Sequence, residues 1–285
     1  MAVTRTELSA TEFDTHESDG GAVASTSAIG AHGARGAAMR PVTMPGRLAG
    51  LTVFLPSHNE EGNVERVVSS FLAELPKVAE VFEVVVIDDG SVDRTGEIAD
   101  RIAAADARVR VVHHAVNRGY GAAVATGLKT ARQPFILLCD GDGQFDPADM
   151  ERLAARIGDH DVVIGRRARR ADHLMRRING KAWTTLSRIL FGLHISDMDC
   201  GFKLFRRSAV ENLELHSSGA MVTTELMARL AGRNARICAV NVTHLPRVSG
   251  EQTGNSPSVI IGAFRDLFAL YRELKKARKG VAAQL

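Results

Sequence analysis

Apolar runs alternate with segments of helical periodicity from residue 51 onward, and this rhythm constrains the fold more than any other feature. Five short runs have strand character: Leu51–Leu55, Phe82–Ile87, Val109–His113, Phe135–Cys139 and Asp161–Ile164. Four segments between them repeat apolar residues at helical spacing: Asn63–Leu75, Asp93–Ala104, Gly119–Ala131 and a segment capped by Asp146-Pro147 that ends near Ile157. Strands that alternate with helices favour parallel pairing, with helices on both faces. The sequence therefore predicts an α/β fold on a single, mostly parallel sheet.

The first 48 residues differ from the rest of the chain. They are rich in Ala, Gly, Ser and Thr and have no apolar periodicity, so residues 1–48 are predicted to be a disordered tail before a domain at 49–280. Neither a secretory signal nor an apolar run of membrane-spanning length is expected. The three cysteines are widely spaced, which suits reduced thiols in the cytoplasm. The formal net charge of +3 is too small to indicate a nucleic-acid partner.

The pattern changes after Gly165. Residues 166–177 hold six arginines in twelve positions, which indicates either a solvated charged face or a surface for an anionic partner at a membrane. Beyond them the sequence predicts an amphipathic helix at Leu174–Leu193, a helix around Thr224–Leu230, a strand at Ile237–Val242 and a polar loop at Pro246–Pro257. A last helix, Ser258–Lys279, carries an apolar stripe that is expected to pack on the core.

The segment after the fourth predicted strand carries the strongest chemical signal. Asp140 and Asp142 stand one residue apart at a strand end, and Gln144 follows. Oxygen ligands of this kind suit Mg²⁺ or Mn²⁺ holding a diphosphate. Taken alone, such a D-x-D is more often a turn or a helix cap. An EF-hand loop is disfavoured, because Phe145 stands where that loop needs glycine.

Three further polar loops follow the first three predicted strands, at 56–61, 88–95 and 117–121. Each could be a mere cap or turn, but four such loops at one sheet edge favour a nucleotide site, since ligands of open α/β sheets bind there. Asp88 could accept a hydrogen bond from a base, and Arg118 could contact a phosphate. A dehydrogenase fingerprint fails because Val124 replaces its third glycine, and the chain has no P-loop.

The motifs NEEGNV, VVVIDDGSVDRT, NRGYGAAVATG, DGDGQ and DCGFKLFRR together resemble the family 2 glycosyltransferases with a GT-A fold. Their order is most similar to that of the dolichol-phosphate or polyprenol-phosphate mannosyltransferases and of related bacterial polyprenyl-phosphate glycosyltransferases. The resemblance covers about residues 50–275. It implies a nucleotide-sugar-binding part at 49–165 and an acceptor-side extension at 166–280.

The resemblance also implies roles for individual residues. The nucleoside and donor side would comprise Pro56, Asn59, Glu60, Asp88, Gly90, Ser91, Arg118 and Gly119. The metal and donor diphosphate would be held by Asp140, Asp142 and Gln144. Lys203 would bind the donor and, with Asp199, Gly201 and Phe202, shape the sugar and acceptor side. The catalytic set would be Asp142, Asp199, Glu225 and Arg247, the last as a phosphate contact. Thr253 stands where the dolichol-phosphate enzymes usually have lysine, so the phosphate clamp differs.

The implied activity is metal-dependent, inverting transfer of a sugar from GDP-mannose or a UDP-sugar to a polyprenyl phosphate. The enzyme would lie on the cytoplasmic membrane face, and its oligomeric state stays open. One alternative is a soluble hydroxyl acceptor, which needs Glu225 or Asp199 as a base. Another is a non-catalytic sugar-nucleotide-binding domain, disfavoured by the intact D-x-D. A nucleotidyltransferase is disfavoured because the first loop has no Lys or Arg.

We predict that residues 1–48 are dispensable, because nothing in them has the apolar pattern of a buried segment. Deleting them should leave the melting temperature and the turnover of a nucleotide sugar close to those of the full chain. Loss of folding after truncation would show that the segment docks on the domain.

Overall fold

A computed structural model describes residues 46–167, 183, 185–192, 195, 197–217, 219, 221–247 and 266–276. Nearly all of the predicted tail lies outside these residues, as do most of the arginine-rich segment and most of the loop predicted at Pro246–Pro257. The described residues belong to one compact unit, Pro41–Leu285. None of their helices is both long enough and apolar enough to cross a membrane.

Seven strands among the described residues form one mixed sheet in the order β3-β2-β1-β4-β6-β5-β7. All neighbouring pairs are parallel except those of β6, which runs antiparallel to β4 and β5. The mostly parallel α/β fold is therefore confirmed. The strands are β1 (Leu48–Ser57), β2 (Ala79–Asp88), β3 (Val109–His113), β4 (Phe135–Cys139), β5 (Val162–Arg167), β6 (Phe202–Arg206) and β7 (Ile237–Val242).

In the part of the chain that the structure describes, helices connect the strands. They are α1 (Val64–Val78), α2 (Thr95–Ala105), α3 (Tyr120–Thr130), α4 (Met150–Ile157), α5 (Arg207–Val210) and α6 (Met221–Gly232), and a short 3₁₀ turn at Pro147–Asp149 precedes α4. Residues 185–191 and 266–276 are also helical, as predicted. The predicted cap is present, since Asp146 accepts a hydrogen bond from the Ala148 amide at 3.0 Å.

One strand and several boundaries differ from the sequence prediction; β2, for example, is Ala79–Asp88 where Phe82–Ile87 was predicted. β1 begins at Leu48, which is buried, so the last residue of the predicted tail belongs to the sheet. α1 continues through Pro76 to Val78, where the predicted helix ended at Leu75. β6 was not predicted, because a five-residue strand containing a lysine lacks both an apolar run and a clear alternation.

The sheet brings the polar loops to one edge. Ser57, at the end of β1, pairs with Asp88 at the end of β2, and Asp88 pairs with His113 at the end of β3. Cys139, the last residue of β4, pairs with Phe202, the first residue of β6. Because β6 is antiparallel, it is the start of this strand that lies at the edge where β4 ends. Residues just before β6 therefore approach those that follow β4.

Close packing of α3 on β1 leaves no room for a side chain at Gly127. A Cβ there would lie 2.0 Å from Cδ2 of Phe54, a fully buried ring. We expect Gly127→Ala to destabilise the protein by about 1–3 kcal/mol in urea unfolding, because overpacking outweighs alanine's higher helix propensity. Gly158→Ala is the matched control, since its Cβ would meet nothing within 4 Å. Equal unfolding free energies for the two variants would contradict this packing.

Candidate active site

The loops that follow β1 and β2 are interlocked by hydrogen bonds. The Asn59 amide donates to Ser91 Oγ at 3.0 Å, and the Asn59 side-chain oxygen accepts from the Val92 amide at 2.9 Å. The Glu60 amide donates to Thr95 Oγ1 at 2.7 Å. Asn59 adopts a positive φ of 56°, which asparagine tolerates better than most residues. Asn59 and Ser91, both predicted site residues, thus join the two loops into one unit.

Asp88 is a buried carboxylate with two partners at the end of β2. Its Oδ1 accepts from the Ser91 amide at 3.1 Å, and its Oδ2 is hydrogen-bonded to His113 Nδ1 at 2.8 Å. Burial acts to raise the pKa of Asp88, but the bonds from Ser91 and His113 outweigh it and lower the pKa. The same contact, with a second one to Asp100, raises the pKa of His113. Asp88 is therefore a fixed, ionised acceptor.

Asp89 holds the loop that follows β3, and the sequence analysis did not include it among the site residues. Its two carboxylate oxygens accept from the amides of Arg118 at 3.0 Å and Gly119 at 2.8 Å. Gly90 has φ +65°, and a Cβ there would lie 2.3 Å from the Val116 carbonyl carbon, so the loops are in direct contact. Arg118 is exposed. The signal for Asp89 in the sequence is its place next to Asp88, directly after a strand.

Asp140 lies against the residues that precede β6. Its amide donates to the Gly201 carbonyl at 3.2 Å, and its Oδ1 accepts from the Tyr120 hydroxyl at 2.7 Å. A Cβ on Gly201 would lie 1.9 Å from Asp140 Oδ2, so only glycine fits there. Burial, together with the charge of Asp142, raises the pKa of Asp140. Pro56 joins this region too, because its carbonyl accepts from the Gly141 amide at 3.2 Å.

Lys203 is a fully buried cation on β6. Its ammonium group donates to the Cys200 carbonyl. Burial lowers its pKa, and the nearby negative charges of Asp140 and Asp199 oppose that shift. Because unpaired buried charges are costly, the carboxylates around Lys203 are part of what keeps it in place. Lys203 and Asp140 are thus close enough to interact electrostatically.

Asp142 contacts Arg247, which reaches it from beyond β7. Arg247 Nη2 lies 3.2 Å from Asp142 Oδ2 and 3.4 Å from Glu60 Oε1. Burial raises the pKa of Glu60, the charge of Asp142 adds to this, and Asn63 and Arg247 act in the opposite direction. The resemblance grouped Glu60 with Asp88 on the nucleoside side. In the structure, the Glu60 side chain is connected to Asp142 through Arg247.

Gln144 ties the D-x-D loop to the segment after β7. Its backbone amide donates to Asp142 Oδ1 at 3.0 Å, and its side-chain nitrogen donates to the Leu245 carbonyl at 3.2 Å. Phe145 forms an antiparallel bridge with His244. The amide oxygen of Gln144 is the atom that a metal would take.

Two predicted catalytic acids differ in their surroundings. Asp199 is exposed in the turn before β6. Glu225 is 1% exposed and accepts hydrogen bonds from the amides of His216 and Ser217 and from Arg229. Burial opposes these bonds, yet they lower the pKa of Glu225. A buried carboxylate of lowered pKa whose oxygens already accept hydrogen bonds is a weak general base, so the role expected of Glu225 would require these bonds to be broken.

The residues at this edge fit a divalent metal that shares its coordination with a substrate. Among the described residues no three His, Cys, Asp or Glu side chains form a metal-holding group. Mg²⁺, however, is commonly bound by one or two carboxylates completed by substrate phosphates and water. The Asp142 carboxylate and the Gln144 amide oxygen provide hard ligands, and the guanidinium on Asp142 shows that this carboxylate accepts a cation.

Comparison with known proteins shows the family to which the chain belongs. The model of the family "Glycosyl transferase family 2" matches residues 52–214. The polyprenol monophosphomannose synthase of Mycolicibacterium smegmatis is 31% identical over 211 residues, covering 70% of this chain and 78% of that protein. The undecaprenyl-phosphate 4-deoxy-4-formamido-L-arabinose transferase of Pseudomonas aeruginosa is 30% identical over 204 residues, covering 70% and 59%.

Glycosyltransferase AglD of Haloferax volcanii is 31% identical over 218 residues, which are 73% of this chain but only 35% of AglD. The chain thus spans about a third of AglD and three fifths of the arabinose transferase.

Among solved structures, glucosyl-3-phosphoglycerate synthase from Mycobacterium tuberculosis superposes with a TM-score of 0.62 at 21% identity, covering 81% of this chain and 80% of that one. One structure of that enzyme contains Mn²⁺, UDP-glucose and phosphoglyceric acid. At this identity the likeness concerns the fold, which is of the GT-A type. With the family match over residues 52–214 and the relative from M. smegmatis, it follows that the chain belongs to glycosyl transferase family 2.

Proposed function

We propose that this protein transfers a hexose from a nucleoside-diphosphate sugar to a polyprenyl phosphate, with inversion at the anomeric carbon and with a divalent metal. The observation that carries the proposal is the cluster of Asp140, Asp142, Glu60 and Arg247. This cluster lies at the sheet edge where the parallel strands β1 and β4 end. Relatives named for polyprenol or undecaprenyl phosphate supply the acceptor class. The proposal leaves GDP-mannose and UDP-sugars open as donors.

The donor would lie across the loops after β1, β2 and β3. Asp88 is a fixed acceptor suited to a nucleoside donor group, and the exposed Arg118 is available for a phosphate. Asp142 and the Gln144 amide oxygen would hold Mg²⁺ or Mn²⁺ on the diphosphate. When bound, the ion would stabilise the charge of the leaving nucleoside diphosphate as a Lewis acid. Arg247 would add a second positive group beside the same oxygens.

If the acceptor is an anionic phosphate, the transfer needs no general base. A lipid phosphate is already ionised near neutral pH, so it can attack the anomeric carbon without losing a proton to the protein. A hydroxyl acceptor would need a base. Glu225 is saturated by hydrogen bonds, which leaves Asp199 as the candidate base for that alternative. The state of Glu225 therefore favours a phosphate nucleophile.

Peripheral attachment to the cytoplasmic membrane face is part of the proposal. The arginine-rich stretch at 166–177 and the exposed basic residues Lys275 and Lys276 would attract anionic lipids. Exposed charges are screened within about 8 Å at physiological ionic strength, so attachment of this kind weakens as salt is added.

Asp142→Asn should lower transfer by at least about 100-fold, because one carboxylate holding the charge-stabilising ion is lost. The measurement is release of nucleoside diphosphate together with formation of the glycosyl lipid, with and without EDTA, followed by added Mn²⁺ or Mg²⁺. Glu97→Gln is the matched control, since Glu97 is an exposed acid paired with Arg94 on α2. Full activity of the wild-type protein in EDTA would contradict the metal role.

The acceptor is tested by a screen of GDP- and UDP-sugars against polyprenyl phosphate in liposomes and against soluble acceptors. We expect replacement of Arg169, Arg170, Arg176 and Arg177 by glutamine to raise the KM for the lipid several-fold, while calorimetry shows unchanged donor binding. The control replaces four exposed basic residues elsewhere: Lys77, Arg94, Arg101 and Arg108. Unchanged lipid kinetics, or efficient transfer to a soluble hydroxyl, would favour the soluble-acceptor enzyme.

A further inference from the structure

One guanidinium bridges two carboxylates that lie far apart in the sequence. Arg247 Nη2 is 3.2 Å from Asp142 Oδ2 and 3.4 Å from Glu60 Oε1, and these residues are 105 and 187 positions from Arg247. The three side chains are mostly shielded, with exposed fractions of 20% for Arg247, 15% for Asp142 and 11% for Glu60. Charges shielded from water interact more strongly than exposed ones. The attraction between Arg247 and the two carboxylates is therefore stronger than that of an exposed ion pair.

The bridge conflicts with metal binding at the same carboxylate. Mg²⁺ binds oxygen at about 2.0–2.1 Å, so an ion on Asp142 would lie within a few ångströms of the guanidinium. Two cations that close repel each other strongly in a shielded site. An ion on Asp142 would therefore compete with Arg247 for that carboxylate.

We propose that Arg247 is the counter-ion of Asp142 in the unloaded enzyme, and that the metal displaces it while Glu60 retains it. The inference rests on the proposed function, because it needs a metal on Asp142. Glu60 acts here as a positioning residue for Arg247. The displaced guanidinium stays at the diphosphate end of the site, where it binds the phosphates of the arriving nucleotide.

Hydrogen bonds hold Glu60 in place during this exchange. Its Oε2 accepts from Asn63 Nδ2 at 2.6 Å, and Asn63 Oδ1 in turn accepts from Arg66 at 3.2 Å. Its backbone amide is fixed by Thr95 Oγ1. Asn63 is itself buried at the start of α1. The carboxylate is thus anchored on one oxygen and leaves the other to Arg247, so that the arginine is the member of the bridge that moves.

The proposal predicts opposite effects of one substitution on two ligands. Removing the competing charge with Arg247→Gln should strengthen Mn²⁺ binding to the nucleotide-free protein about tenfold, as measured by electron paramagnetic resonance. In saturating Mn²⁺, the same variant should bind GDP or UDP about tenfold more weakly by calorimetry, because a phosphate contact is lost. Arg247→Lys keeps the charge and should leave Mn²⁺ affinity near the wild-type value.

Arg152→Gln is the matched control, because Arg152 pairs with a different carboxylate, Asp149, and is 60% exposed. It should leave both affinities unchanged. Melting curves for every variant check that the fold is intact. A merely structural role for Arg247 would weaken both ligands together. Unchanged or weaker Mn²⁺ binding in a folded Arg247→Gln protein would overturn the proposal.

A double-mutant cycle tests the part played by Glu60. Glu60→Gln should weaken Mn²⁺ binding in the wild-type background, because the displaced arginine loses its partner. In the Arg247→Gln background the same change should cost at least about threefold less, since no arginine has to be retained. Additive effects would overturn the role of Glu60. These affinities are measured without turnover, so absence of transferase activity would count against the proposed function and leave the exchange to be judged by the cycle.

Discussion

The antiparallel pairing of β6 with β4 is the constraint on which the site depends. It places Phe202 beside Cys139, and so sets Gly201 against the carboxylate of Asp140 with no room for a Cβ. A parallel strand in this position would have carried its opposite end to the edge. Residues 199–203 would then lie a strand length away from the D-x-D. One reversal of strand direction therefore brings residues of the second half of the chain next to the D-x-D.

At this sheet edge, acidic side chains lie close to basic side chains or to hydrogen-bond donors. Asp140 is held by Tyr120 and interacts with buried Lys203, whereas Asp142 is paired with Arg247. Asp140 and Asp142 therefore differ in how firmly their carboxylates are held, although the two acids stand only one residue apart in the sequence. Asp140 is engaged by groups fixed in the fold, and Asp142 by the end of a long side chain. This difference makes Asp142 the more available of the two for a metal.

The surroundings of the remaining acids narrow the chemistry that the site can perform. Asp89 and Glu225 accept backbone amides and shape loops, so their charge stabilises the fold around the site. Asp88 is ionised and paired with His113. The hydrogen bonds to Asp88 and Glu225 lower the pKa of each, and both oxygens of Asp89 already accept backbone amides, so none of the three is well placed as a proton acceptor. An enzyme arranged in this way is better matched to a nucleophile that arrives already charged.

The sequence by itself determined the α/β class, the four polar loops at one sheet edge and the D-x-D with its oxygen ligands. Each of these rests on local signals: apolar runs such as Phe135–Cys139 that report burial, and loop residues next to strand ends. Only the tertiary structure shows that β6 is a strand and that Glu60 is connected to Asp142 through Arg247. It also shows that Asp89 and Glu225 accept hydrogen bonds from backbone amides. Such contacts join residues as far apart as Glu60 and Arg247. They depend on the order and direction of strands, which periodicity along the chain does not encode.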